Sequence, residues 1–171
     1  AWIFHNTNQL NRYRTEPERE AALARFEKDF LKYETVVQPR IVAVTLAVDL
    51  HPTEARAVTR GRYRLVNRSD APIAALHLNW PQALKLDSVE LAGATLQQDW
   101  PEEHYRIYKL EPALPPGQEL ELGFATTLEE RGFPNGAPLT RIVANGSFLD
   151  NTEITPMLGL SRHGLLTDRA K

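Results

Sequence analysis

Residues Gly61–Trp80 read GRYRLVNRSDAPIAALHLNW. Tyr63 and Leu65 alternate with arginines, which is the period-two pattern of a strand with one apolar and one polar side. A polar turn containing Asp70 and Pro72 follows, and a second alternating segment then runs to Trp80. Two alternating segments around a turn predict a β-hairpin.

The same pattern of alternating segments and turns continues along most of the chain. From Ile41 the sequence alternates again, and the predicted apolar face of this strand comprises Val42, Val44, Leu46, Val48 and Leu50. Turn signals such as Pro115-Pro116-Gly117 separate the later segments. Further strands are predicted near residues 76–80, 88–91, 105–110, 119–127 and 141–144.

One helix is predicted, near residues 16–33. Thr15 and Glu18 have the spacing of a capping box, and Pro17 lies in the first turn, where its missing N–H costs nothing. The helix has one apolar stripe, formed by Leu23, Phe26, Phe30 and Tyr33. We expect this stripe to pack on the sheet or on a partner.

These patterns predict a mainly β protein, either an antiparallel sandwich or a strongly twisted sheet, with one N-terminal amphipathic helix. The expected organisation is an N-terminal segment over 1–37, a β-domain over 38–149 and a junction over 150–171. The sequence begins abruptly with bulky apolar residues and ends without a helix terminator, so we expect this chain to be a piece of a longer protein. The junction is irregular yet apolar, as expected at the border with a following domain.

Composition restricts the classes of function. The 171 residues suit one domain with a substantial core. The net charge of −2 argues against a dedicated nucleic-acid-binding protein, because phosphate binding needs a basic excess. Without cysteine the chain has neither a disulfide framework nor a thiolate metal site. No apolar run reaches the roughly 18 residues of a membrane-spanning helix.

No catalytic motif stands out. The histidines are far apart in the sequence and no His-Glu-x-x-His is present, so no single element offers a pair of metal ligands. His77 lies on the polar side of its strand and is interpreted as a surface or partly packed residue. Glu102-Glu103 and Glu129-Glu130 are adjacent pairs, and adjacent strand residues point to opposite faces. We interpret these glutamates as solvated loop charges.

Two sets of side chains are candidate interaction sites. An arginine row could dock an acidic surface or could be a solvated face that opposes sheet aggregation. Four aromatic residues could form a platform for sugars or could belong to the core. The arginine row comprises Arg60, Arg62, Arg64 and Arg68, and the aromatic set comprises Trp80, Trp100, Tyr105 and Tyr108.

The hairpin and four short segments carry a resemblance. The region from about Gln38 to Leu149 resembles the N-terminal β-domain of the aminopeptidase N-type zinc metallopeptidase family. The whole chain is most similar to bacterial proteins in which an ABC transporter permease is fused to an aminopeptidase-like region. The segments are Trp2–Asn8, Leu10–Glu16, Gln38–Arg40 and Ala144–Phe148, with Pro156 and Gly159 behind the last.

The resemblance implies a non-catalytic domain that packs against a following zinc peptidase-like domain and helps to wall its cleft. It also implies a soluble region outside the cytoplasmic membrane, anchored by membrane helices beyond this sequence. The Gly-x-Met-Glu-Asn and His-Glu-x-x-His motifs of the family are absent here, so zinc would belong to the following domain and no cofactor to this chain. The alternative hypothesis is an independent β-sandwich module that binds sugar or protein.

Overall fold

The computed structural model describes residues 16–129, 142–143 and 146–160. Its elements follow the predicted order of one helix and then strands. They are α1 (Glu16–Phe30), β1 (Arg40–His51), β2 (Arg56–Val66), β3 (Ile73–Asn79), β4 (Leu84–Leu91), β5 (Ala94–Trp100), β6 (Tyr105–Leu114), β7 (Glu119–Glu129), α2 (Asn151–Ile154) and β8 (Met157–Leu158), with 3-10 turns at Leu31–Tyr33 and Pro52–Glu54.

The strands form two antiparallel four-stranded sheets. Sheet A has the order β1-β2-β7-β4, and sheet B has the order β5-β6-β3-β8. Alternate residues of the two sheets meet in one apolar core, which includes Leu65, Leu76 and Leu122. The predicted β-sandwich is therefore confirmed.

The β-hairpin predicted over residues 61–80 is wrong, because its two strands, β2 and β3, do not pair with each other but lie in different sheets. Tyr63 and Leu65 point into the core, while the arginines that alternate with them, Arg62 and Arg64, are exposed on the outer face of sheet A. The chain then crosses from β2 in sheet A to β3 in sheet B. Asn67 fixes this crossing, because its buried Nδ2 donates to the carbonyl oxygens of Ala71 and Leu114, each at 2.8 Å.

Helix α1 covers the outer face of sheet B, so the domain has a third layer. Phe30 is buried against Trp100 and Tyr105, with ring centroids 5.1 and 5.0 Å away, and Tyr33 packs on His77 at 5.0 Å. The apolar stripe therefore packs on the sheet through Phe26, Phe30 and Tyr33. The side chain of Leu23 and the capping residue Thr15 lie outside the described residues.

Three other expectations about secondary-structure elements need correction. Strand β5 was not predicted, because Gln97, Gln98 and Asp99 break the alternation on this exposed edge strand. Ile142 and Val143, which fall in the last predicted strand, are not in a strand. A bulge between Ile41 and Ala43 shifts the register of β1, so the core-facing residue at its start is Ile41 and not Val42.

Candidate docking surface

Strand β1 carries an apolar face that belongs to the core by register but is open to solvent. The β1 residues on this face pair with five residues of β2, four of which have buried side chains. These partners are Leu65, Tyr63, Gly61, Thr59 and Ala57. Paired residues of an antiparallel sheet point to the same face. We call this the β1 apolar face; it comprises Ile41 (40% exposed), Val44 (49%), the partly buried Leu46, Val48 (41%) and Leu50 (41%).

Among the described residues, no strand of sheet B extends beneath this face. The strand of sheet B on this side, β8, has two residues, Met157 and Leu158. They pair with Asn79 and Leu78 of β3. Beyond them, the part of the chain that the structure describes supplies no strand opposite the inner side of sheet A along β1.

A groove of about 560 Å³ lies at this gap, between the start of β1 and the segment Asn151–Leu158. Its walls are largely apolar and include Ile41, Val44, Tyr63, Pro156 and Met157. Arg40 and Thr155 also line the groove. Such a surface can bind an apolar segment and orient it with a few polar groups.

The wall formed by residues 150–159 is held firmly on the core. The Tyr63 hydroxyl donates to the carbonyl oxygen of Pro156 at 3.0 Å, and the Thr126 hydroxyl donates to that of Ile154 at 2.6 Å. Asp150 caps α2 with a capping box completed by Glu153. The amide of Asn79 donates to the carbonyl oxygen of Gly159. The start of the predicted junction is thus attached to the sandwich.

Gln38 closes the remaining edge of sheet B. Its Oε1 accepts from the backbone N–H of His77 at 2.8 Å, next to the place where Gly159 N–H donates to the His77 carbonyl oxygen at 2.9 Å. A side-chain amide here replaces the pairing that the short β8 cannot supply. Because Gln38 precedes β1 by two residues, it also fixes where β1 and the groove begin.

The arginine row lies on the outer face of sheet A, away from the groove. Arg62 contacts Glu121 at 3.3 Å and Arg64 contacts Glu119 at 4.0 Å, all four side chains being more than half exposed. Arg60 lies between Ala47 and Ala125 in the register of the sheet. Arg68 is exposed in the loop after β2. Exposed pairs of this kind add little stability, and the neighbouring acids dilute the positive charge.

The aromatic set is not an exposed platform. Trp80, Tyr105 and Tyr108 are buried and Trp100 is half-buried under α1. Arg106 lies over the Trp80 ring at 5.3 Å and is paired with Asp99 at 3.0 Å, while His104 packs on the same ring at 5.6 Å. The rings therefore serve packing, which is the second of the two roles considered for them.

His77 is buried, and its interpretation as a surface or partly packed residue was wrong. Its Nδ1 lies 2.8 Å from the Tyr105 hydroxyl. The residue does face the non-core side of its strand, but Tyr33, in the 3-10 turn that follows α1, covers it there. Periodicity within one strand cannot show whether a helix from elsewhere in the chain lies on it.

Burial gives the fold a pH dependence that can be measured. It lowers the pKa of His77 and of His104 below the ordinary value of about 6.5. A histidine with a lower pKa in the folded chain stabilises the fold above the unfolded pKa, and this contribution is lost as the pH falls. We expect the free energy of unfolding from urea titrations to fall as the pH drops below about 6.5. The fall should be smaller in His77→Gln, and an identical fall would contradict this assignment.

One of the two acidic pairs lies wholly within the described residues. Glu102 and Glu103 are exposed in the turn before β6, and Glu130 lies outside the described residues. Within the described ranges, no three His, Cys, Asp or Glu side chains are close enough to hold a metal ion. In the same part of the chain, no helix is long and apolar enough to cross a bilayer.

Comparisons with known proteins add little. No family model matches the chain, and no curated protein matches it. The chitin-binding domain of Chi18aC from Streptomyces coelicolor is 18% identical over 55% of this chain and 85% of that chain, with a TM-score of 0.31. The chitin-binding domain of a hyperthermophilic chitinase from Pyrococcus furiosus is 16% identical over 56% and 84%, with a TM-score of 0.25. Scores this low carry no argument about ligand.

Proposed function

We propose that this chain is a non-catalytic β-sandwich domain that binds a protein partner through the β1 apolar face and the adjoining groove. One observation carries the proposal, namely that four of the five residues that face the core by register along β1 remain 40–49% exposed. Contiguous exposed apolar surface on a folded domain is typical of interaction sites.

Covering this surface would contribute favourable free energy to docking. Full burial of a Val, Leu or Ile side chain is worth roughly 1.5–3 kcal/mol. Four side chains of this face are still 40–49% exposed, namely Ile41, Val44, Val48 and Leu50. Covering each of them would therefore contribute a part of that free energy of burial. The groove adds Tyr63, Pro156 and Met157 to the same contact.

The partner that we propose is the following domain of a membrane-anchored, aminopeptidase-like protein associated with an ABC permease. The four sequence segments described above support this choice. In such a protein this domain would lie outside the cytoplasmic membrane and help to wall the substrate cleft, and any zinc would be held by the following domain. The buried positions of Trp80 and the tyrosines make sugar the less favoured ligand.

Thiol labelling can test this proposal, because the chain contains no cysteine. Ile41→Cys places a thiol on the groove wall, and Ala43→Cys places one two residues away on the outer face. Both variants would be made in this chain and in the full product of its gene. Alkylation at each position would be followed by mass spectrometry.

We expect position 41 to react at least about tenfold more slowly in the full product than in this chain, which corresponds to about 1.4 kcal/mol of protection. Position 43 should react at the same rate in both proteins. Equal rates at position 41 would refute the docking proposal. A gene that encodes no His-Glu-x-x-His after residue 171 would refute the choice of an active zinc peptidase as partner.

A further inference from the structure

Within residues 16–129, 142–143 and 146–160, strand β1 also has a free hydrogen-bonding edge. Among the described residues it pairs only with β2, and after the bulge its register is continuous from Ala43 to His51. Natural edge strands are usually protected by proline, lysine, further bulges or a covering loop. The segment from Ala43 to Leu50 contains no proline or lysine, and Asp49 is its one charged residue. Such an edge can accept another strand.

The sequence of β1 is complementary to itself. Val44, Leu46 and Val48 are symmetric about Leu46, and all three lie on the β1 apolar face. If two copies pair antiparallel with Leu46 opposite Leu46, each Val44 lies opposite the Val48 of the other copy. A two-fold interface requires this reciprocity, in which residue i contacts j and j contacts i.

The outer face is compatible with the same register. There Asp49 of one copy lies opposite Ala43 of the other, and Ala43 pairs with Arg64 on β2. Two strand spacings, roughly 10 Å, separate the Cα atoms of Asp49 and Arg64. The long arginine side chain can cover this distance over the short Ala43. Arg60 and Arg62 of the two copies stay three spacings apart, roughly 14 Å, so the positive rows do not collide.

We infer that β1 pairs with the β1 strand of a second copy of this chain, antiparallel and with the two-fold axis at Leu46. The pairing joins the two copies of sheet A into one continuous eight-stranded sheet. The pairing runs through the backbone edge of β1, with cross-strand contacts between Val44 and Val48, whereas the proposed partner domain covers the apolar face from its inner side, so the pairing does not require that partner. An interface formed by one strand edge from each copy is small, so we expect weak binding, with Kd between about 1 µM and 1 mM.

Two double variants test the pairing and its register. Val44→Lys/Val48→Lys places lysine opposite lysine twice across the axis. Val44→Glu/Val48→Lys places glutamate opposite lysine twice, at the same two half-exposed positions. Directly opposite like charges destabilise a sheet pair and opposite charges stabilise it. Within one copy the two positions are four residues apart, so they interact little, and circular dichroism should show the same fold for both variants.

Sedimentation equilibrium should find a monomer–dimer equilibrium for the original chain. The lysine/lysine variant should dimerise at least about tenfold more weakly than the glutamate/lysine variant. An original chain that stays monomeric up to about 1 mM would overturn the inference. Equal dimerisation by the two variants would also overturn it, because Val44 and Val48 would not then face each other.

Discussion

Replacing Phe30 with alanine should lower the free energy of unfolding by about 3–5 kcal/mol, the usual cost of removing a buried aromatic ring. The ring contacts four others, namely Phe26, Tyr33, Trp100 and Tyr105. Without it α1 loses the centre of its contact with sheet B. Urea denaturation should show the loss, and the fluorescence of Trp100 should shift to the red as water reaches its ring.

Leu31→Ala is the matched control, because Leu31 is the next residue and is 44% exposed. Its effect on stability should remain well below that of Phe30→Ala. If both substitutions change stability equally and the fluorescence stays constant, α1 is not docked on sheet B in solution. His77 would then be open to solvent, and its share of the pH dependence would disappear as well.

Gly61→Ala should destabilise the protein by about 1–3 kcal/mol, the range for overpacking a core. The sign is informative, because alanine normally improves on glycine inside a strand by roughly 0.5–1 kcal/mol. A Cβ atom at Gly61 would overlap the ring of Phe124, its partner on β7. That ring is buried and also packs on Tyr63 at 4.8 Å, so it has little room to move.

Gly123→Ala provides the opposite case in the same sheet. Its Cβ would point to the outer face and lie 3.3 Å from both the Oε2 and the Cβ of Glu90, so the carboxylate would swing into solvent and the two strands would separate slightly. We expect a change in stability near zero or slightly positive for this variant. Thermal melts of the two variants should therefore move apart. Equal melting temperatures would mean that Phe124 does not lie over Gly61.

The local rules explain why the strands of sheet A could be predicted. Tyr63 and Leu65 alternate with arginines because β2 has one face in the core and one in solvent. Strand β1 showed the same alternation although its apolar face is open, because period two reports the side on which a residue lies and not what covers it. Its exposure depends on the length of β8, more than 100 residues later in the chain.

Other features depend on contacts between distant segments, and sequence patterns could not reveal them. Strand β5 escaped prediction because its solvent-exposed residues have no reason to alternate. The burial of His77 depends on α1, and the rigid groove wall depends on hydrogen bonds from Tyr63 and Thr126. The one signal for the groove was the excess of apolar residues after Asn151, which were too many for a solvated linker.

The hydrogen bond from Tyr63 to Pro156 has a consequence for folding kinetics. It joins residues 93 positions apart, and the contact of Asn79 with Gly159 joins residues 80 apart. Closing loops of this length costs chain entropy before any contact rewards it, whereas β1 and β2 are joined by a short turn. The hairpin of β1 and β2 can therefore form early, and the segment at 150–159 must dock late. During this interval the inner side of β1 is fully exposed, and the nascent chain is then most vulnerable to aggregation.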